Sequence, residues 1–233
     1  MKSKILILIL SISFVFSQTT LFICSDSTGA YYNPNNYPQQ RGWGQFFQDH
    51  FDQNKLVVDN RSRGGRSTKN YLSEGIWDTV KSSFKSGDYV LIQFGHNDAS
   101  SVAERHTEAG KDYDINLRRM ANEAIQLGVT PVIMSCTAQR KWQNGEFVPV
   151  HQKYVESCKN VAAELGIHFV DVKAITNKLV KDMGENGSKK LYMISQGAND
   201  NTHFTIYGAT TVAKLTADAL IQEVPELAQY KKE

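Results

Sequence analysis

The sequence predicts a three-layer α/β/α fold on a five-stranded parallel sheet, and three observations carry that prediction. Short β-rich runs recur at residues 21–24, 56–58, 89–94, 131–135 and 168–172. The stretches between them are longer and carry apolar residues at helical spacing, the alternation that lays helices on both faces of a parallel sheet. Composition is that of an ordinary globular chain, with 233 residues, 41% apolar and 21% charged, which argues against a disordered, fibrous or many-span membrane protein.

At the N-terminus, Lys2 and Lys4 precede an apolar run from Ile5 that continues to Phe16, and Val15 and Ser17 are small enough for the two recognition positions before a cut between Ser17 and Gln18. The run is too short for a ~20-residue membrane span. Residues 1–17 are therefore expected to be a secretory signal peptide, leaving one secreted, extracellular domain over 18–233 with no membrane attachment. Losing Lys2 and Lys4 takes the 26 basic residues to 24, equal to the 24 acidic ones. A formally neutral chain argues against nucleic acid as a partner. Cys24, Cys136 and Cys158 show no CxxC spacing and cannot all pair within one chain, so a metal site or disulfide framework is not expected, and Cys24 and Cys136, each ending an apolar run, read as buried thiols.

After the first strand run, residues 31–40 are rich in Tyr, Asn, Pro and Gln and read as a surface loop. Ile115, Met120, Ala124 and Leu127 form a helical stripe that stops at Gly128; Val155, Cys158, Ala162 and Leu165 form another that stops at Gly166. A last helix is expected from Gly208 to about Glu223, with Val212, Leu215, Ala219 and Leu220 on one stripe, ending before Pro225. The pattern is β-α repeated five times.

In such a sheet, ligands bind outside the carboxyl ends of the strands. Four segments there carry catalytic residue types: Ser25-Asp26-Ser27-Thr28, the run from Asn60 to Ser67, Gly95-His96-Asn97-Asp98, and Asp200-Asn201-Thr202-His203 before the last helix. A serine hydroxyl needs a base in hydrogen-bond reach and a third group to hold that base. If residues 200–203 make one helical turn, Asp200 lies beside His203 and fixes its tautomer. Ser27 is equally the residue type that N-caps a helix. Gly64-Gly65 and Asn97 offer a bare backbone amide and a side-chain amide, so three strand-end loops can direct donors at one oxyanion. His96 and Asp98 read as loop structure or packing, and the histidines at 50, 106, 151 and 168 as scattered surface or loop residues.

Together these blocks resemble the SGNH (GDSL-type) hydrolases, in which a nucleophilic Ser, a Gly, an Asn and a DxxH occur in that order, matched here by Ser27, Gly65, Asn97 and Asp200/His203. Gly42-Trp43-Gly44, Gly65-Arg66-Ser67, Gly87-Asp88-Tyr89 and 94–98 look like the rhamnogalacturonan acetylesterase branch, carbohydrate esterase family 12. The resemblance covers about residues 21–223. It implies a flavodoxin-like SGNH fold and acyl transfer by Ser27, His203 and Asp200, with oxyanion donors from the Ser27 and Gly65 amides and Asn97. It also implies no metal or cofactor, and acetylated plant cell-wall polysaccharide as the substrate of a monomer. One position departs: the first block usually reads Gly-Asp-Ser, and Ser25 in place of that glycine is strained if the site needs φ > 0.

Other readings share the fold: an acetylxylan or lipid esterase, or a carbohydrate-binding protein whose nucleophile loop Ser25 has broken. The loop containing Tyr31, Tyr32 and Tyr37 suits sugars better than acyl chains, and Trp142 is a further sugar-contact candidate. Arg61, Arg63, Arg66 and Lys69 place four positive charges within nine residues. They form either a solvated loop with local ion pairs or, as the sharper expectation for Arg61 and Arg63, a site for uronate carboxylates.

Overall fold

The computed structural model describes residues 18–232, so the signal-peptide expectation falls outside the described residues. In chain order the strands are β1 Thr19–Ser25, β2 Gln40–Arg41, β3 Leu56–Asn60, β4 Tyr89–Gln93, β5 Thr130–Met134, β6 Trp142–Gln143, β7 Glu146–Phe147, β8 His168–Val170 and β9 Phe204–Thr205. The α-helices are α1 Thr68–Ser73, α2 Ile76–Lys81, α3 Asp112–Gln126, α4 Gln152–Leu165, α5 Val172–Gly187 and α6 Ile206–Glu223. All five expected strand runs enter one sheet in the order β3-β1-β4-β5-β8, and every neighbouring pair is parallel. Strand order reverses between β1 and β4, which makes the crevice at their carboxyl ends the topological switch point.

The strands are buried on both faces, so successive side chains feed two cores. Leu21 and Ile23 of β1 join Trp43, Phe47, Val212 and Leu220 on one side, under the 3-10 segment Trp43–His50, α5 and α6. Phe22 and Cys24 join Tyr71, Trp77, Leu117, Met120 and Val161 on the other, under α1 to α4. Cys24, Cys136 and Cys158 are free and buried.

Three local expectations are corrected. In α3 the buried stripe is Tyr113, Leu117, Met120, Ala121 and Ala124, while Ile115 is 61% exposed. Ile115 lies five residues, and thus well off the buried face, from Met120 at ~100° per residue, and Leu127 falls beyond the helix end. The second repeat has no single α-helix: α1 and α2 are separated by Gly75, which sits at φ 70. The loop that begins at Tyr31 ends in β2, which pairs antiparallel with β9, joining Gln40 to Thr205 and Arg41 to Phe204. That pairing fixes the loop beside the segment containing His203. α6 starts at Ile206, capped by Thr205, whose Oγ1 accepts from the Gly208 amide at 3.1 Å.

Candidate active site

β1 delivers the chain to a tight turn. Asp26 is buried, and its Oδ1 accepts from both the amide and the hydroxyl of Thr28 at 2.8 Å. The Gly29 amide closes back on the Asp26 carbonyl at 3.3 Å. Ser27 therefore stands at the apex of a turn, and no helix follows for it to cap. Its carbonyl accepts from the Tyr32 hydroxyl at 2.9 Å, a contact from the aromatic loop. Burial raises the Asp26 carboxyl, against the opposing Thr28 hydrogen bonds. Ser25 is not strained: among the described residues other than glycine, only Asn144 and His151 have positive φ. Ser25 ends β1 and its hydroxyl donates to Gln93 Oε1 at 3.1 Å.

Residues 200–203 form a bend rather than the expected helical turn. Asp200 Oδ1 accepts from the amides of Thr202 at 2.8 Å and His203 at 3.0 Å, and Oδ2 then meets His203 Nδ1 at 2.7 Å. His203 Nε2 lies 2.9 Å from Ser27 Oγ, closing a series across 176 positions of sequence. Burial pushes the Asp200 carboxyl up, but the hydrogen bonds from the His203 side chain and the two amides outweigh it and hold it at about 2. The bond to Asp200 raises the imidazole of His203 against burial. Ionised Asp200 thus fixes the proton on Nδ1 and leaves Nε2 to accept from Ser27.

The bend is held from outside. Arg140, 7% exposed, donates from its amide to the Asn201 carbonyl at 2.8 Å and from Nη1 to Asn201 Oδ1 at 2.9 Å. Gln139 Nε2 donates to Thr202 Oγ1 at 3.0 Å. The amides of Met193 and Ile194 bond the carbonyls of His203 and Asp200.

Facing Ser27, Gly64 and Gly65 turn the chain after β3, and Gly65 sits at φ +73, a conformation that costs any L side chain. The Ser27 and Gly65 amides have no acceptor among the described residues. Asn97 follows β4, and its Nδ2 donates to the Arg66 carbonyl at 3.1 Å. Asp98 is the anchor beneath: its Oδ1 accepts from the Thr68 amide and hydroxyl and from the Thr107 hydroxyl. Burial pushes Asp98 up to about 6.

These parts surround an open groove of about 820 Å³ lined by Ser27, Gly64, Gly65, Asn97, Asp200 and His203. Tyr32, Tyr37, Gln40, Arg105 and Gln139 complete much of its wall. The structure does not bring the four substrate-contact candidates to it. Arg61 is paired with Asp59 at 2.7 Å, and with Arg63 it lines a separate crevice beside Glu74. Tyr31 is 66% exposed and is not among the residues lining the groove, where Tyr32 and Tyr37 are. Trp142 packs edge-on to Phe147 in the β6–β7 hairpin.

The histidine expectation is corrected in the other direction. His96 and His151 line the groove with ring centroids 5.2 Å apart, and His151 holds φ 65. Burial and the buried Lys173 ammonium push His96 well down and His151 to about 4. His96 was visible as the neighbour of Asn97; nothing in the sequence marks His151 or Arg105.

A doubly wound sheet whose switch point holds a serine, an imidazole and a carboxylate in hydrogen-bond series has the arrangement that serine hydrolases use. The GDSL-like Lipase/Acylhydrolase family model matches residues 26–211. The chain belongs to that family and is a carboxylic ester hydrolase. A probable rhamnogalacturonan acetylesterase of Bacillus subtilis (strain 168) is 33% identical over 201 residues, spanning 86% of this chain and 91% of the relative. A second rhamnogalacturonan acetylesterase of that strain is 33% identical over 210 residues, spanning 86% and 88%. The crystal structure of the Bacillus subtilis protein YxiM superposes with a TM-score of 0.79 at 23% identity, covering 89% of this chain and 57% of that one.

Proposed function

We propose that this protein is a secreted, single-domain serine esterase that removes O-acetyl groups from plant cell-wall polysaccharide, acetylated rhamnogalacturonan first. The observation that carries the mechanism is the hydrogen-bond series from Asp200 through His203 to Ser27, at 2.7 and 2.9 Å. His203 Nε2 takes the Ser27 proton as Oγ attacks the acetyl carbonyl. The oxyanion receives hydrogen bonds from the Ser27 and Gly65 amides and Asn97 Nδ2. Collapse expels the sugar oxygen, which takes the proton from His203. Water, deprotonated by His203, then attacks the acetyl-enzyme, releasing acetate and restoring Ser27. Asp200 stays ionised throughout.

The names of the two 33% identical relatives support the substrate, and the open, tyrosine-flanked groove suits a polysaccharide. Acetate release from acetylated rhamnogalacturonan and acetylated xylan, measured side by side with Ser27→Ala as control, tests both parts. The expected result is faster release from rhamnogalacturonan and none from the folded Ser27→Ala protein. Near-normal release by that variant overturns the nucleophile assignment, and a preference for xylan overturns the substrate.

A further inference from the structure

Asn97 is bracketed by two contacts of opposite polarity. Its Nδ2 donates to the Arg66 carbonyl at 3.1 Å, and its Oδ1 accepts from Arg105 Nη1 at 3.2 Å. Reversing the amide sets its NH2 against a guanidinium and its carbonyl against a carbonyl, so only one orientation is compatible with both neighbours. In that orientation one Nδ2 hydrogen goes to Arg66 and the second is left for the groove.

Arg105 does not reach Asn97 from a free loop. Its own amide closes a turn on the Val102 carbonyl at 3.0 Å. Two side chains of α1 grip the residues just before it: Lys69 Nζ donates to the Ala103 carbonyl at 3.0 Å and Asn70 Nδ2 to the Glu104 carbonyl at 2.9 Å. Thr107, just after it, is pinned to Asp98 by its hydroxyl at 2.8 Å and its amide at 3.1 Å. Arg105 also borders the second backbone donor, since a Cβ built on Gly65 comes to 4.0 Å from Nη1. Among the residues lining the groove it is the one lysine or arginine.

We propose that Arg105 is a positioning residue of the reaction: its guanidinium fixes the orientation of Asn97 and draws density from the amide oxygen, so that the free Nδ2 hydrogen is aimed and strengthened as an oxyanion donor. A charged donor on the oxygen of an amide strengthens the bond made by its nitrogen. The benefit appears where negative charge develops, in the transition state, and so acts on kcat rather than KM. This rests on the reading of Asn97 as an oxyanion donor.

A double-mutant cycle on 4-nitrophenyl acetate, a neutral ester with no carboxylate to bind, separates the possibilities. Asn97→Ala lowers kcat by on the order of 10²–10³. Arg105→Ala lowers it by roughly tenfold with KM unchanged, and Arg105→Lys, which keeps a charged donor, recovers most of that loss. In the Asn97→Ala background, Arg105→Ala changes kcat by less than about twofold, because its route is gone. The same cycle with Arg105→Gln, alongside thermal melts, guards against an alanine variant that does not fold. Equal factors in both backgrounds overturn the inference, as does an effect confined to KM of a uronate-bearing substrate and erased by salt. If Asn97→Ala itself leaves kcat intact, the oxyanion reading fails instead.

Discussion

Asp200→Asn tests the catalytic series most sharply, because the structure dictates how the new side chain sits. Oδ1 of residue 200 accepts from two backbone amides, at 2.8 and 3.0 Å, so the amide oxygen of asparagine is held there. Its NH2 then falls where Oδ2 stood, 2.7 Å from His203 Nδ1. A donor at that position forces Nδ1 to accept and moves the proton to Nε2, the atom that must accept from Ser27. Geometry survives and the tautomer is wrong, for which a kcat loss of about 10³–10⁴ is expected. Holding Asp200 at about 2 rather than 3.8 corresponds to about 2 kcal/mol, trimmed to about 1–2 by solvent at the groove mouth. Being a depressed carboxylate, it contributes that stability above about pH 4 and loses it as pH falls toward 2. The variant should therefore melt a few degrees lower at pH 7, with the difference shrinking in acid. Initial rates on 4-nitrophenyl acetate and melts at pH 3 and 7 measure both. Retention of more than a tenth of wild-type kcat refutes the tautomer argument.

The remaining predictions concern pH, stability and charge. His203 is raised above 6.5 by Asp200, and it must be neutral to accept the Ser27 proton, so kcat/KM rises with pH through a value above 6.5. His96 and His151 are already neutral there, so His203 is the imidazole of the groove whose titration is read between pH 5 and 8; a flat profile excludes His203 as the base. Ser25→Gly, which removes the bond to Gln93 Oε1, should leave activity unchanged and cost about 1–2 kcal/mol, read as a melting-point fall of about 3–8 °C. A gain in activity would restore the strain explanation. Arg61→Gln and Arg63→Gln should leave KM for acetylated rhamnogalacturonan unchanged within about twofold, since both lie outside the groove; a clear rise in KM would put them back on the substrate path.

The sheet was legible because its strands are short, β-branched and bounded by turn residues, and because parallel strands buried on both faces need no alternation to be seen. The helices were less so. The stripe through Ile115 fails because a five-residue step carries it off the face of Met120 and Ala124, while Tyr113 and Leu117 face the core. The β2–β9 pairing was invisible: two residues on each side carry no periodicity, and the partners are 163 and 165 positions apart. The four blocks were legible because each is contiguous and directly follows a strand or precedes a helix. Their supports were not, since Arg140 reaches Asn201 over 61 positions and Gln139 reaches Thr202 over 63.

Charge shows why density along the chain misleads about a site. The cluster from Arg61 to Lys69 reads as a positive patch, yet its members spend their donors locally. Arg61 bonds Asp59, Arg66 bonds Glu74, and Lys69 bonds the Ala103 carbonyl. An exposed ion pair of this kind adds little free energy, but it occupies the guanidinium face that a substrate carboxylate would need. Arg105 sits instead in a mixed stretch, between Glu104 and His106, and draws no attention there. What decides its position is the buried Asp98, which accepts from Thr68 on one side and Thr107 on the other. That carboxylate brings the loop carrying Arg105 and the helix after Gly65 to the same place. The aspartate of the third block therefore assembles the residues around Asn97 without touching the groove. Asp98→Ala, which removes the one oxygen that accepts from Thr68 and Thr107 alike, should loosen both sides together and impair kcat more than loss of any single loop contact does.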